Sequence, residues 1–280
     1  MTPVVAVIAP GAMGAAVGKR LTDHGVKALT SLVGRSESTS ARARAANMIA
    51  ASDAEIAGCD FILSILPPGE ALTVAERFAP VLKASNAKPV YADCNAINPA
   101  TVERVAAAIA PAGCPFVDVG IIGAPPKGQD AGPRFYASGA AAARFATLRQ
   151  FGLDVRVLDG ALSAASALKM SYAGITKGTQ AIGAAMMLAA TRGGSAEALF
   201  KELSFSQKEL LALFRQQLPL MPAKAYRWIA EMQEIAGFVG DDPAARELYQ
   251  GAAHFYERIA EDFAADKEAV AALKAFLGKS

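Results

Sequence analysis

Val4-Val5-Ala6-Val7-Ile8-Ala9-Pro10-Gly11-Ala12-Met13-Gly14-Ala15 decides how this chain is read. Five apolar residues form a strand, a glycine-bearing turn follows, and Ala15 to Thr22 continues with helical spacing. A strand, a tight turn and a helix in that order make the first half of a dinucleotide-binding βαβ unit. The turn lets the backbone approach a pyrophosphate, and the helix start supplies free N–H groups and a positive dipole end. Set against G-x-G-x-x-G, the stretch reads Ala9-x-Gly11-x-x-Gly14, so alanine stands first. Gly11 keeps the close approach and Gly14 the helix–strand packing, while Ala9 must make its turn at a φ open to L-residues. The expected cofactor-binding set here is Ala9, Gly11, Ala12, Met13 and Gly14. The turn alone also suits an ordinary α/β protein; the strand before it and the helix after it narrow the reading.

The second strand is expected to end over Thr30 to Val33, followed by Gly34-Arg35-Ser36. An NAD site would place Asp or Glu there for the ribose hydroxyls. Arg35 instead offers a charged fork to a 2′-phosphate and Ser36 a hydroxyl, with Arg42 and Arg44 adding positive potential. Glu37 is the nearby acid and comes late for a ribose acceptor. The alternative is a solvated loop cation at Arg35. The expected cofactor is NADP (NADPH).

With 280 residues, 53% of them apolar, the chain has room for two domains and a sizeable core. A net charge of +2 without basic clusters gives no nucleic-acid footprint. Cys59, Cys94 and Cys114 sit in apolar, strand-like contexts without metal-ligand spacing, and His24 and His254 lie far apart. Zinc, Cys-His and Ser-His-Asp chemistry therefore lose their support, and no metal is expected. The first 18 residues carry no side-chain charge, yet Pro10, Gly11 and Gly14 interrupt them and no basic region leads them. The expectation is a soluble, cytoplasmic chain without a membrane segment.

Up to about residue 160, apolar runs alternate with helical patterns. Helices are expected near Thr39 to Asn47, Glu70 to Leu82, Pro99 to Ala110 and Ala140 to Gln150. Strands are expected near Met48 to Ala50, Asp60 to Leu66, Pro89 to Asp93, Pro115 to Val119, Arg134 to Ala137 and Val155 to Leu158. Repeated strand–helix units imply an open, mostly parallel sheet. From Ala161 the pattern is helical only. Leu162 to Thr191 contains no proline and reads as one helix of roughly 45 Å. The expected fold is α/β: an N-terminal Rossmann-type, doubly wound, mostly parallel sheet over 1–160, a long connecting helix (about 162–191), and an all-α C-terminal domain within 161–280. Small residues on the long helix (Ala173, Gly174, Gly178, Ala181) suit close helix packing, and a homodimer through the helical domain is expected.

On that helix Lys169, Tyr172, Thr176, Lys177 and Gln180 fall on one polar stripe, while Met170, Gly174, Ile175, Gly178, Ala181 and Ile182 lie on faces expected to pack. The stripe is either a solvated face or part of an active site. As an active site it needs a lysine to exchange a proton with a substrate hydroxyl as hydride moves. Neither His nor any carboxylate elsewhere offers a better base.

Four segments together resemble the β-hydroxyacid dehydrogenase superfamily, which includes 6-phosphogluconate and 3-hydroxyisobutyrate dehydrogenases. They are Gly11 to Gly14, Ser64-Ile-Leu-Pro-Pro68, Asp93-Cys-Asn-Ala-Ile-Asn-Pro99, and Phe116-Val-Asp-Val-Gly-Ile-Ile-Gly-Ala-Pro-Pro126. Ala167 to Gly174 is similar to the family's catalytic helix, which makes Lys169 the implied acid/base. The resemblance spans roughly residues 3–190. It implies NADP over Gly11 to Gly14, Leu66, Pro67 and Pro68 over the adenosine side, and substrate outside the strand ends. Asn95 fits two roles, approach to the nicotinamide ribose or a turn that caps the segment before Pro99. Two departures stand out. The asparagine that usually follows the lysine is replaced by Tyr172 and Ala173, and the Ser-Gly-Gly of the carboxylate loop by Ile122-Gly123-Ala124. Backbone at Gly123 and Ala124, with Tyr172, Thr176 and Lys177, is the expected substitute, Lys177 pairing an anionic substrate. Tyr226 to Ala236 resembles the short C-terminal domain of a little-characterised branch, where Glu231 and Glu234 are either structural or line the cleft. The expected partner is a small-molecule substrate, neither 6-phosphogluconate nor 3-hydroxyisobutyrate. Imine reduction and non-catalytic NADPH binding are the competing readings.

Overall fold

A computed structural model describes residues 2–128 and 130–278. The chain divides into two compact units, Met1–Met170 and Ser171–Ser280.

The first unit is an eight-stranded sheet in the order β3-β2-β1-β4-β5-β6-β7-β8. Its strands are β1 (Val4–Ile8), β2 (Lys27–Thr30), β3 (Ile49–Ala50), β4 (Phe61–Ser64), β5 (Val90–Asp93), β6 (Phe116–Ile122), β7 (Arg134–Ser138) and β8 (Asp154–Val157). The first six are parallel, and their neighbours reverse at β1, the switch point where such sheets bind ligands. β7 runs antiparallel to β6, and β8 parallel to β7. The start of β7 therefore lies at the same sheet edge as the end of β6. The helices α1 (Ala12–Asp23), α2 (Glu37–Ala45), α3 (Asp53–Ile56), α4 (Ala71–Ala84), α5 (Pro99–Ile109) and α6 (Ala142–Phe145) cover both faces. Alternation along β1 sends Val5 and Val7 into a core with Val17, Leu21 and Phe145, and Ala6 and Ile8 into another with Phe78, Leu82 and Val105. Burial on both faces explains why the strands read as unbroken apolar runs.

The second unit continues from α7 (Ala164–Arg192) through α8 (Ala196–Ser206), α9 (Lys208–Gln217), α10 (Ala225–Phe238), α11 (Pro243–Ala264) and α12 (Glu268–Leu277). No helix among the described residues is long and apolar enough to cross a membrane.

Several boundaries differ from expectation. β2 stops at Thr30, because Arg35 N–H closes a turn on the Leu32 carbonyl and Gly34, at φ +69°, turns the chain away. Val33 is consequently exposed. The helix expected over 140–150 is one α-helical turn followed by a 3-10 stretch, Ala146–Phe151, where the Thr147 hydroxyl takes the Arg144 carbonyl. The short α3 was not anticipated, although its capping box, Ser52 with Glu55, was readable in sequence. The cysteines are buried and free, but they sit beside strand ends rather than within strands. On α7, Met170 is buried as expected, and Gly174 and Gly178 pack against Tyr249. Ile175 and Ile182 do not pack: they are 68% and 54% exposed.

Candidate active site

At the end of β1 the chain turns through Ala9 and Pro10 into α1. Gly11 N–H donates to the Ala9 carbonyl (2.8 Å), and Ala15 N–H closes the first helical bond on Gly11 (2.9 Å). Ala9 is not among the positive-φ residues, so an L-residue serves at the first fingerprint position. The two glycines answer different demands. A Cβ on Gly14 would run into the Ala9 carbonyl oxygen, whereas a Cβ on Gly11 would meet nothing within 4 Å. Gly11 thus faces open space at the mouth of a helix whose N-cap makes no side-chain hydrogen bond. The N–H groups of Ala12, Met13 and Gly14 have no intrahelical acceptor. Open space, free donors and the positive helix end fit a pyrophosphate.

Arg35 is half-buried and, among the described residues, forms no ion pair. Ser36 has a structural task. It is the N-cap of α2, its Oγ accepting from Thr39 N–H (3.3 Å). Arg35 therefore stands beside a second helix N-terminus. Arg42 donates to the Pro10 carbonyl (3.2 Å) and steadies the turn, while Arg44 is paired with Glu37, which offsets its charge.

The Asn95 side chain is held within the sheet. Its Oδ1 accepts from Leu66 N–H (2.6 Å), and its Nδ2 donates to Ser64 Oγ (3.1 Å) and Asp93 Oδ2 (3.0 Å). Both side-chain donors are used, and the residue is 2% exposed. It staples the end of β4 to the end of β5 and so fixes the Leu66-Pro67-Pro68 loop. The cap before Pro99 comes from Asn98, which accepts from Thr101 N–H (3.0 Å).

The lysine is set by β6. Asp118, Gly120 and Ile122 share one face of that strand, opposite Val117, Val119 and Ile121 in the core. Asp118 Oδ2 accepts from Ser166 N–H and Oδ1 from Ser166 Oγ, both at 2.7 Å. Ser138, its partner across β7, accepts from Ala165 N–H (2.9 Å) and donates to the Leu162 carbonyl (2.7 Å). Two neighbouring strands thereby cap the first turn of α7. Gly120 admits the helix: a Cβ there would lie 2.6 Å from the Ala165 carbonyl oxygen and 3.2 Å from Lys169 Cβ. So seated, Lys169 Nζ donates to the Ile121 carbonyl at 2.6 Å, at the edge where β6 enters the Gly123-Ala124 loop. Gly123, at φ +133°, leaves no room for a Cβ beside Pro133. Arg20 on α1, nearly buried, ties the loop down through Asp130 Oδ1 (2.9 Å) and the Gly128 carbonyl (3.2 Å). Asp118, Ser138, Ser166 and Arg20 escaped the sequence reading. Gly120 carried a signal, since glycine within an apolar strand marks close backbone approach.

Asp93 and Asp118 are register partners on adjacent strands, both fully buried. Burial pushes the Asp93 carboxyl up to about 7; the Asn95 backbone bond opposes this and the Asp118 charge adds to it. Burial likewise raises Asp118 to about 6 against the two Ser166 bonds.

The remaining stripe residues belong to the second unit. Lys177 is not open to a substrate anion. It is ion-paired with Glu231 and lies 5.2 Å from the Trp228 ring centroid, and Tyr256 OH donates to its carbonyl (2.6 Å). Burial pulls its ammonium below the ordinary lysine range, and Glu231 opposes that pull. Thr176 Oγ1 donates to the Tyr172 carbonyl (2.8 Å), Tyr172 is exposed, and the Oε1 of buried Gln180 has no hydrogen-bond partner among the described residues.

No curated protein matches this chain. Residues 190–259 match a domain of unknown function, DUF1932. Among solved structures, the conserved protein MTH1747 of unknown function, described as structurally similar to 3-hydroxyacid dehydrogenases, shares 27% identity over 96% of this chain and 98% of its own, with a TM-score of 0.70. The 3-hydroxyisobutyrate dehydrogenase of Mycobacterium tuberculosis shares the fold at 20% identity, 98% and 99% coverage and a TM-score of 0.69. An imine reductase from Myxococcus stipitatus, in complex with NADP+, shares it at 18% identity, 98% and 100% coverage and a TM-score of 0.56. The glycine turn, the switch point at β1 and the free N–H groups of α1 lie in residues 4–151, which match the NAD binding domain of 6-phosphogluconate dehydrogenase, and the chain belongs to that family.

Proposed function

We propose that this chain is an NADP-dependent oxidoreductase of the β-hydroxyacid dehydrogenase type, acting on a small anionic hydroxy or keto compound with Lys169 as acid/base. The observation that carries the reading is the seat of Lys169. Its Nζ is held by the Ile121 carbonyl at the carboxyl end of a strand parallel to β1, so the lysine and the glycine turn share one sheet edge. The residues that would hold the cofactor are the turn from Ala9 to Gly14 for the pyrophosphate, Arg35 and the start of α2 for the 2′-phosphate, and Leu66 to Pro68 for the adenosine side. NADP(H), when bound, supplies or accepts the hydride. Lys169 donates a proton to the substrate oxygen in reduction and takes it from the hydroxyl in oxidation. The N–H groups of the Gly123-Ala124 segment stand where the family's Ser-Gly-Gly orients substrate.

Retention of the lysine favours this reading over imine reduction, whose enzymes share the architecture but usually replace that residue. Free, buried cysteines support a cytoplasmic location. Exposed Ile175, Ile182 and Leu248 border an apolar groove of about 460 Å³ between α7 and α11, which supports a homodimer through the helical unit.

Fluorescence titration with NADPH and NADH, on native protein and on Arg35→Ala, tests the cofactor. The expected result is a preference for NADPH that collapses in the variant; failure to bind either nucleotide would overturn the redox reading. Lys169→Ala should bind NADPH as the native protein does and lose turnover. Unchanged turnover would remove the lysine from the chemistry.

A further inference from the structure

We propose that Arg134 is the residue that recognises the substrate's carboxylate. This rests on the oxidoreductase reading above and adds a binding group to it.

Alternation on β7 puts Phe135 and Ala137 into the core with Val119 and Ile121, so Arg134, Tyr136 and Ser138 point to the opposite face. That face is where α7 docks, since Ser138 caps Ala165 there. In the antiparallel register Ser138 stands across from Asp118, Tyr136 from Gly120 and Arg134 from Ile122. Lys169 lies over Gly120 and its Nζ is bound to the Ile121 carbonyl, one peptide short of Ile122. Partners across such a ladder have Cα atoms about 5 Å apart. The Arg134 side chain therefore starts one strand away from the lysine, on the same face and at the same edge.

Its charge is available. Arg134 is half-buried, and among the described residues its guanidinium forms no hydrogen bond or ion pair. Asp154, across from it on β8, is taken at both oxygens by Arg156. Two more-buried basic side chains are spent, Arg20 on Asp130 and Lys177 on Glu231. Position also counts. The family's carboxylate loop has a serine where this chain has Ile122, and Arg134 is the cross-strand partner of that isoleucine. Pro133 packs against Gly123, which ties Arg134 to the loop. A planar guanidinium grips a carboxylate through two parallel N–H···O bonds, more than one hydroxyl supplies. The site then takes a substrate that carries a carboxylate, with the acid recognised by Arg134 and the carbonyl or hydroxyl by Lys169.

The test uses the NADPH-loaded full chain and malonate as an unreactive carboxylate probe, with neutral malonamide as control and ionic strength fixed with sodium chloride. Malonate should raise the thermal midpoint of the native complex and malonamide should not. Arg134→Met should weaken malonate roughly ten- to a hundredfold and leave NADPH affinity unchanged, while Arg134→Lys recovers part of the loss. Equal malonate binding by native protein and Arg134→Met, or no malonate effect on native protein, overturns the proposal. Should Arg134→Met fold poorly, Arg134→Gln serves in its place, its fold verified by NADPH binding. Lys169→Met keeps the two readings separate. Loss of turnover there, alongside a failed malonate test, refutes the arginine assignment and spares the redox reading.

Discussion

Replacing Gly120 by alanine puts a methyl group 2.6 Å from the Ala165 carbonyl oxygen and 3.2 Å from Lys169 Cβ. Ordinary contact needs about 3.5 Å, so the first turn of α7 must retreat by roughly 1 Å. It cannot do so freely, because Ser166 is bound to Asp118 and Ala165 to Ser138 at distances under 3 Å. Overpacking of this kind costs about 1–3 kcal/mol, a fall in midpoint of roughly 3–10 °C for a unit of this size. The same retreat stretches the bond from Lys169 to the Ile121 carbonyl, and misplacement of a catalytic group by about 1 Å can cost on the order of 10²-fold in turnover. Thermal unfolding reads the first effect. The second is read without a known substrate by the rate at which acetic anhydride acylates Lys169, measured by mass spectrometry; that rate should change as the bond from Nζ to the Ile121 carbonyl is stretched. NADPH affinity should hold, since the glycine turn lies at β1. A variant with native midpoint and native Lys169 reactivity would refute the claim that Gly120 seats the lysine.

Other expectations follow from the buried charges. Glu231→Gln strands the Lys177 ammonium and should cost about 3 kcal/mol in urea unfolding, whereas Lys177→Met with Glu231→Leu should restore most of it; equal losses in both would show the pair to be incidental. Asp93 and Asp118 titrate higher folded than unfolded, so their contribution to stability is complete below about pH 4 and is lost as pH rises through about 6 and about 7. Asp93→Asn should therefore flatten the decline in stability between about pH 4 and about pH 7, by up to about 1.4 kcal/mol per pH unit, and an unchanged slope would count against a raised carboxyl there. Ile182→Glu should shift the chain from dimer to monomer in sedimentation, and a native monomer would remove the homodimer.

Strands and helices were legible wherever burial on both faces or a 3.6-residue period left its mark, as at β1, β4, α5 and α7. Local chemistry that breaks a period was less visible. Gly34 ended β2 early, and Thr147 broke the helix after Gly139. Lys169 could be singled out from its helix and its resemblance, but the groups that hold it could not. Asp118 and Ser138 read as ordinary polar residues in apolar strands until the register of β6 against β7 places them side by side beneath the first turn of α7. Asn95 and Lys177 share a feature that sequence does not show: each has an internal partner far away in the chain, Leu66 for one and Glu231 for the other. A polar residue's availability is a property of its neighbours in space.

Gly11 and Gly14 stand three residues apart and are exposed to different kinds of loss. A side chain at Gly14 meets the protein's own backbone, so the damaged chain unfolds and quality control removes it. A side chain at Gly11 meets nothing, and the chain folds, persists and lacks only its nucleotide. Inherited defects at the two positions should therefore differ in abundance: scarce protein for one, plentiful inactive protein for the other.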